Sequence, residues 1–211
     1  MSGRLIIIRH AESEWNALGK WTGTTDVHLS EKGFRESAML GHAIEDLPID
    51  QAYCSQQIRT LETLETILDA SGKIAVPFER SAALNERDYG VYTGKNKWEV
   101  KQEIGEEAFN KLRREWDYPV PDGETLKDVS KRVVRFYQDT VVPRLSAGHH
   151  VLLVAHGNSI RALVKYIESI SDEDVASLEM IFGTVLLYHV DEKGMMLDKD
   201  ERKIETELPP A

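Results

Sequence analysis

Two histidines each close a short apolar run and open a turn: Leu5-Ile6-Ile7-Ile8-Arg9-His10 and Val151-Leu152-Leu153-Val154-Ala155-His156-Gly157. A run of branched aliphatics bounded by polar residues predicts a buried parallel strand, and in open α/β sheets ligands bind beyond the carboxyl ends of such strands. Both imidazoles would project there, into one active site. A histidine after a strand is commonly only a structural hydrogen-bonding group, so the neighbours decide. Arg9 precedes His10 and Glu12-Ser13-Glu14-Trp15-Asn16 follows it. A cation, a nucleophile and several hydrogen-bonding side chains thus crowd one turn where an anion could be held, and phosphate is the natural candidate.

The elements that must position these residues alternate between strand and helix signals, the signature of an α/β layer fold. Leu5 to Ile8 is the first strand. Ser30 caps a helix with Phe34, Leu40, Ile44 and Leu47 on one face, stopped by Pro48. Ala52 to Cys54 is a short strand, and Ser55 caps the next helix, whose Ile58, Leu61, Leu64, Ile67 and Leu68 form a buried face ending at Gly72. Val76-Pro77-Phe78 reads as an edge strand because proline cannot donate to a ladder. Leu84 to Lys97 is expected to be a long functional loop, and about 98 to 115 one charged helix. After the breaker Tyr118-Pro119-Val120-Pro121-Asp122-Gly123, a capping box at Thr125 to Asp128 starts a helix with Leu126, Val129, Val133, Phe136 and Tyr137 on one face. The strand Val151 to Val154 leads into a helix carrying Ile160, Leu163, Val164 and Ile167; a last capped helix is expected near Ser171, and Val185 to Tyr188 is a final strand.

The chain has 211 residues, a length that suits one domain with a sizeable core. No apolar run reaches the length of a membrane span or a signal-peptide core, so a cytoplasmic location and no membrane partner are expected. The single cysteine, Cys54, cannot form an intramolecular disulfide, and no cysteine–histidine framework suggests a metal. A formal net charge of −10 argues against nucleic acid as a partner. If Arg9, Arg59, Arg87, Arg113 and Arg114 gather in one pocket, they make a local positive site inside a negative envelope, which favours a small anion over a polymer.

Four segments in order, Arg9-His10-Ala11-Glu12-Ser13-Glu14-Trp15-Asn16, Thr22-Gly23, Leu84-Asn85-Glu86-Arg87-Asp88-Tyr89-Gly90 and Ala155-His156-Gly157-Asn158-Ser159, resemble the histidine phosphatase superfamily, and within it the cofactor-dependent phosphoglycerate mutases. The likeness runs from about residue 4 to residue 190. It implies a three-layer α/β/α sandwich with a mainly parallel central sheet and one catalytic domain over 1–211; the two prolines and low apolar content of the end, Glu205 to Ala211, predict a tail poorly ordered from about residue 203. It also implies His10 as the nucleophile that carries a phosphoryl group, with Arg9, Arg59 and His156 as the phosphate clamp; His156 would be cationic or donating there. Glu86 matches the proton donor to the departing oxygen, a task an exposed glutamate could not perform. Substrate binding by Ser13, Asn16, Thr22, Gly23, Arg87, Tyr89, Lys97, Arg113, Arg114, Gly157 and Asn158 follows from the same likeness. The implied reaction interconverts 3-phosphoglycerate and 2-phosphoglycerate in glycolysis and gluconeogenesis, with 2,3-bisphosphoglycerate as phosphoryl primer, no metal, phosphoglycerates as the small-molecule partners and a homodimer or other homo-oligomer left open.

Each match has an ordinary competitor. Arg59 could salt-bridge Glu62, Tyr89 could be a satisfied core aromatic, Thr22-Gly23 could be a plain turn, and Asn16 and Asn158 could be loop caps. Arg113 and Arg114 lie among Glu106, Glu107, Glu115 and Asp117, where surface ion pairs are the default. Their spacing of 27 and 28 residues from Glu86, with Lys97 at 11, matches the mutase subgroup that grips a second anion. A phosphatase of the same superfamily would not need these three cations, and a non-catalytic phosphometabolite sensor would not need the nucleophile and acid. Departures from the family pattern are Ala11 for glycine, tolerable only at negative φ, Asp88 where many mutases have histidine, a missing insertion after Arg114 and a tail that lacks the lysine-rich end many members carry. They bear on subunit contacts and substrate enclosure.

Overall fold

The computed structural model describes residues 3–205. Its centre is β1 (Arg4–Arg9), four of whose six residues are buried aliphatics. After it come α1 (Glu14–Ala17), a single turn capped by Ser13, and α2 (Glu31–Ala43), capped by Ser30 as expected. Then follow β2 (Gln51–Ser55), α3 (Ile58–Ala70) and β3 (Phe78–Ser81). The middle of the chain supplies α4 (Lys97–Ile104), α5 (Glu106–Arg114), α6 (Leu126–Phe136) and α7 (Val142–Ser146). β4 (Val151–Ala155), α8 (Gly157–Ile167), β5 (Thr184–Val190) and β6 (Met196–Lys203) complete it.

The six strands form one sheet in the order β3-β2-β4-β1-β5-β6. β1 to β4 are mutually parallel where they pair, while β5 runs antiparallel to β1 and to β6. Period-2 alternation divides the sheet between two cores. Leu5, Ile7, Tyr53, Leu153 and Tyr188 face α6, α7 and α8, whereas Ile6, Ile8, Ala52, Cys54 and Val154 face α2 and α3. This is the expected three-layer arrangement. A third cluster, Trp21, Tyr89, Val100, Phe109, Leu112 and Val120, lies under α4 and α5 and fixes them against the turn after β1.

Several local expectations are corrected. Val76 and Pro77 precede the edge strand, which begins at Phe78; Pro77 contributes only its carbonyl, accepting from Ala52 N at 2.9 Å. Ser55 does not cap α3, whose first flanking residue is Gln57; Ser55 Oγ instead accepts from Gln57 N at 3.0 Å. The single helix expected over 98 to 115 is two, broken at Gly105, where a φ of +83° lies in the region that favours glycine. The helix from Thr125 has its capping box but passes through one π turn, Tyr137–Val141, ahead of Pro143. The Ser171 cap exists, yet only a short 3-10 turn at Asp174–Ser177 follows. β6 was not expected because its exposed, charged residues carry no strand-like alternation; backbone pairing with β5 makes it. Of the tail, Lys203 is still in β6 and Ile204 N donates to Gly183 O at 2.9 Å, while residues 206–211 lie outside the described residues.

Truncating Leu153, 1% exposed at the centre of the sheet, should cost about 2–5 kcal/mol, whereas Leu197→Ala at a 68% exposed site should cost less than about 0.5 kcal/mol. Urea denaturation of Leu153→Ala and Leu197→Ala measures the difference.

Candidate active site

Arg9 pairs with Ala155 in the parallel ladder, so His10 and His156 leave adjacent strands at the same level. Their ring centroids are 4.9 Å apart. β1 is followed by helices on one face of the sheet and β4 by α8 on the other, which opens a crevice between them. Both imidazoles are buried, at 3% and 0% exposure. Burial, reinforced by the Arg59 and Arg9 guanidiniums, holds the pKa of each well below the ordinary 6.5. The cationic form of His156 is thus disfavoured in the ligand-free protein. His10 Nδ1 lies 2.7 Å from Ala11 O. A carbonyl can only accept, so Nδ1 carries the proton and Nε2 presents its lone pair. His156 Nε2 meets Ser55 Oγ at 2.8 Å.

The loop carrying Glu86 is tied down from three sides. Glu86 N donates to Gln57 Oε1 at 2.8 Å, and Gln57 Nε2 donates to Gly23 O at 2.8 Å. Glu86 Oε1 accepts from Arg87 N at 2.8 Å and from Asn158 N at 3.2 Å. Arg132, on α6, donates to Ala83 O, Asn85 O and Glu86 O and makes a two-pronged pair with Glu124 at 2.9 and 2.8 Å. Glu124 in turn accepts from Asp88 N at 3.0 Å. Asp88 thus serves the loop backbone and does not face the cleft. Gly23 adopts a φ of +53°, and a Cβ there would lie 2.9 Å from Thr93 Oγ1, so the turn favours glycine.

Thirteen of the expected residues line a single cleft of roughly 870 Å³: Arg9, His10, Asn16, Thr22, Gly23, Arg59, Glu86, Tyr89, Lys97, Arg113, Arg114, Gly157 and Asn158. His156 lies behind His10. Two do not face the cleft. Ser13 is the buried N-cap of α1, exchanging hydrogen bonds with Asn16. Arg87 lies fully buried, its guanidinium 4.5 Å from the Tyr89 ring centroid and its Nη2 donating to Leu112 O at 2.8 Å. Ala11 has no positive φ and is absent from the lining, which meets the condition its methyl imposed. Sequence reasoning missed Lys20, Trp21, Arg161, Glu179 and Met180 in the lining. Arg161 was legible only as a polar residue in an apolar helix; its guanidinium donates to Arg113 O at 3.0 Å and Arg114 O at 2.8 Å, capping the carboxyl end of α5.

Seven cations, Arg9, Lys20, Arg59, Lys97, Arg113, Arg114 and Arg161, face two carboxylates, Glu86 and Glu179. Burial and mutual repulsion lower the pKa values of Arg9 and Arg59 to about 10 and that of Lys97 to about 8. Among the described residues, Arg9 Nε, Arg59 Nε, Thr22 Oγ1 and His156 Nδ1 are buried without a hydrogen-bond partner. Buried donors of this kind cost free energy unless something accepts from them. A small polyanion satisfies both the charge and the donors.

Lys97 gives a pH signature. Its ammonium is charged below about 8 and is lost as pH rises through that value, so affinity for a doubly anionic ligand should fall there. Lys97→Arg keeps its charge and should flatten the profile. Calorimetric titrations across the pH range measure both.

Residues 5–199 match the model of the histidine phosphatase superfamily, branch 1. A 2,3-bisphosphoglycerate-dependent phosphoglycerate mutase of Rhodococcus jostii is 40% identical over 235 aligned positions, covering 100% of this chain and 94% of the relative. The alignment is longer than the chain, so that relative carries segments this chain lacks. The enzyme of the same name from Parvibaculum lavamentivorans is 38% identical over 202 positions, 95% of this chain and 96% of the relative. Among solved structures, YhfR of Bacillus stearothermophilus superposes with a TM-score of 0.81 at 27% identity, over 92% of this chain and 94% of that one. A mycobacterial glucosyl-3-phosphoglycerate phosphatase, 19% identical, shares the fold with a TM-score of 0.76 over 96% of this chain and 98% of its own. The strand-end histidines and cationic cleft are thus set in a chain that belongs, over nearly its whole length, to the histidine phosphatase superfamily and within it to the 2,3-bisphosphoglycerate-dependent phosphoglycerate mutase family.

Proposed function

We propose that the protein interconverts 3-phosphoglycerate and 2-phosphoglycerate through a phosphohistidine at His10, primed by 2,3-bisphosphoglycerate. The observation that carries this reading is the presence of two sets of cations in one cleft: Arg9 and Arg59, whose charges act on His10, and Lys97, Arg113 and Arg114, which are not among the charges acting on it. A ligand with two anionic ends fits such a cleft better than a simple phosphate ester does. The names of the full-length relatives agree.

His10 Nε2 attacks phosphorus of the bisphosphate. An N–P bond forms, the P–O bond to the glycerate oxygen breaks, and that oxygen takes the proton of Glu86. The transferring group spreads charge over its equatorial oxygens, where Arg9, Arg59 and His156 offer preorganised donors. The arriving dianion favours the charged form of His156, with the proton taken up from solvent, so that its unpartnered Nδ1 and its Nε2 are both donors in the complex. In the return step Glu86 accepts a proton from the other hydroxyl of a bound monophosphoglycerate, whose oxygen attacks the phosphohistidine. The far cations hold the intermediate while it reorients, which keeps water from the phosphoenzyme. Because guanidiniums and imidazoles supply the charge stabilisation, a metal is not required.

Phosphorus NMR of 3-phosphoglycerate with the protein, with and without catalytic bisphosphoglycerate, tests the reading: 2-phosphoglycerate should form, faster with primer, and stoichiometric inorganic phosphate would make it a phosphatase. In the same assay the double variant Arg113→Ala/Arg114→Ala should lose isomerisation and release proportionally more phosphate, since two charge-assisted contacts, each worth about 1.5–3 kcal/mol, are removed.

Glu86→Gln keeps size and a hydrogen bond but deletes the acid. Turnover should fall by roughly a hundredfold or more with little change in ligand affinity; steady-state kinetics alongside direct binding separate the two.

A further inference from the structure

Glu179 is the second carboxylate of the cleft, and unlike Glu86 it has no part in the transfer steps. Glu179 Oε1 accepts from Arg114 Nη2 at 2.7 Å, with Glu179 about half exposed and Arg114 about a quarter exposed. The segment 178–183 that carries it also meets Arg9 and His10. Met180 O accepts from Arg9 Nη1 at 2.6 Å, and the Phe182 ring lies 3.6 Å from the Arg9 guanidinium and edge-on to His10 at 6.2 Å. One short stretch of chain thus engages two arginines of the cleft, Arg9 and Arg114.

We propose that Glu179 is a specificity-determining residue: it occupies Arg114 in place of the distal anion of the ligand and so sets how tightly the site holds ligands with a second anion. The proposal rests on the reading that Arg114 receives that anion. An ion pair this exposed contributes little to stability and is readily exchanged. Its cost falls on the ligand. The distal anion must displace one carboxylate from the guanidinium and then sit within Coulomb range of it. A ligand with a single phosphate held by Arg9 and Arg59 does not compete with this carboxylate for Arg114. Glu179 therefore weakens two-anion ligands selectively, and with them the retention of the bisphosphorylated intermediate.

The competing account, that Glu179 merely fastens its segment, predicts the opposite sign. Calorimetric titration of 2,3-bisphosphoglycerate and of inorganic phosphate into His10→Ala protein, which cannot turn over, is compared with the same protein carrying Glu179→Gln or Glu179→Ala. Both substitutions should tighten bisphosphoglycerate by about threefold to tenfold and move inorganic phosphate by less than about twofold. Unchanged affinity in Glu179→Gln, or weaker binding in Glu179→Ala, overturns the proposal in favour of an anchor. Equal tightening of inorganic phosphate overturns it as a general charge effect. Failure of bisphosphoglycerate to bind any form overturns the functional reading, and this proposal with it.

Discussion

The parallel pairing of β1 with β4 is the constraint on which the rest depends. Because Arg9 stands opposite Ala155, the next residue on each strand is a histidine, and the ladder itself fixes the two rings beside one another. Strand spacing is set by backbone hydrogen bonds, so this separation is a property of the sheet and not of the loops. The apolar runs that make both strands buried on two faces are also what remove water from the imidazoles. One packing decision therefore places His10, disfavours its charged form and, through the carbonyl of Ala11, leaves Nε2 as the nitrogen without the proton.

Around that rigid edge the chain concentrates positive charge in a molecule whose formal net charge is −10. Burial first, and then the neighbouring cations, lower the pKa values of Arg9, Arg59 and Lys97. Such a cluster is tolerated because its backbones and forks are held elsewhere: Arg59 by Gly23 O and Thr25 O, Arg114 by Glu179, and the carboxyl end of α5 by Arg161. The unfavourable electrostatics of the free protein become favourable when an anion arrives, so part of the binding free energy is stored in the fold.

Glu86, to which we assign the proton transfer, is handled differently. It sits on a loop without regular structure, yet Gln57, Asn158 and the Arg132–Glu124 pair fix its backbone and one carboxylate oxygen. The cleft is thus positioned by the sheet on one side and by a polar network on the other. The aromatic cluster under α4 and α5 joins the two by seating Tyr89 against Trp21, their rings stacked at 5.2 Å.

The sequence by itself determined the layers, the strand-end histidines and the residue types of the cleft. Those signals are local: apolar runs, capping boxes at Ser30 and Thr125, and motifs whose order along the chain is preserved. It did not determine what depends on contacts between distant segments. β6 forms because β5 offers unpaired backbone, not because its own residues favour a strand. Arg87 and Ser13 have the right chemistry for a ligand but spend it on Leu112 O and Asn16, while Arg161 and Glu179, unremarked in the linear chain, enter the cleft through α8 and the 178–183 segment. Whether a charged side chain meets a ligand or a backbone carbonyl is settled by which desolvated partner lies within about 3 Å, and only the tertiary packing sets that distance.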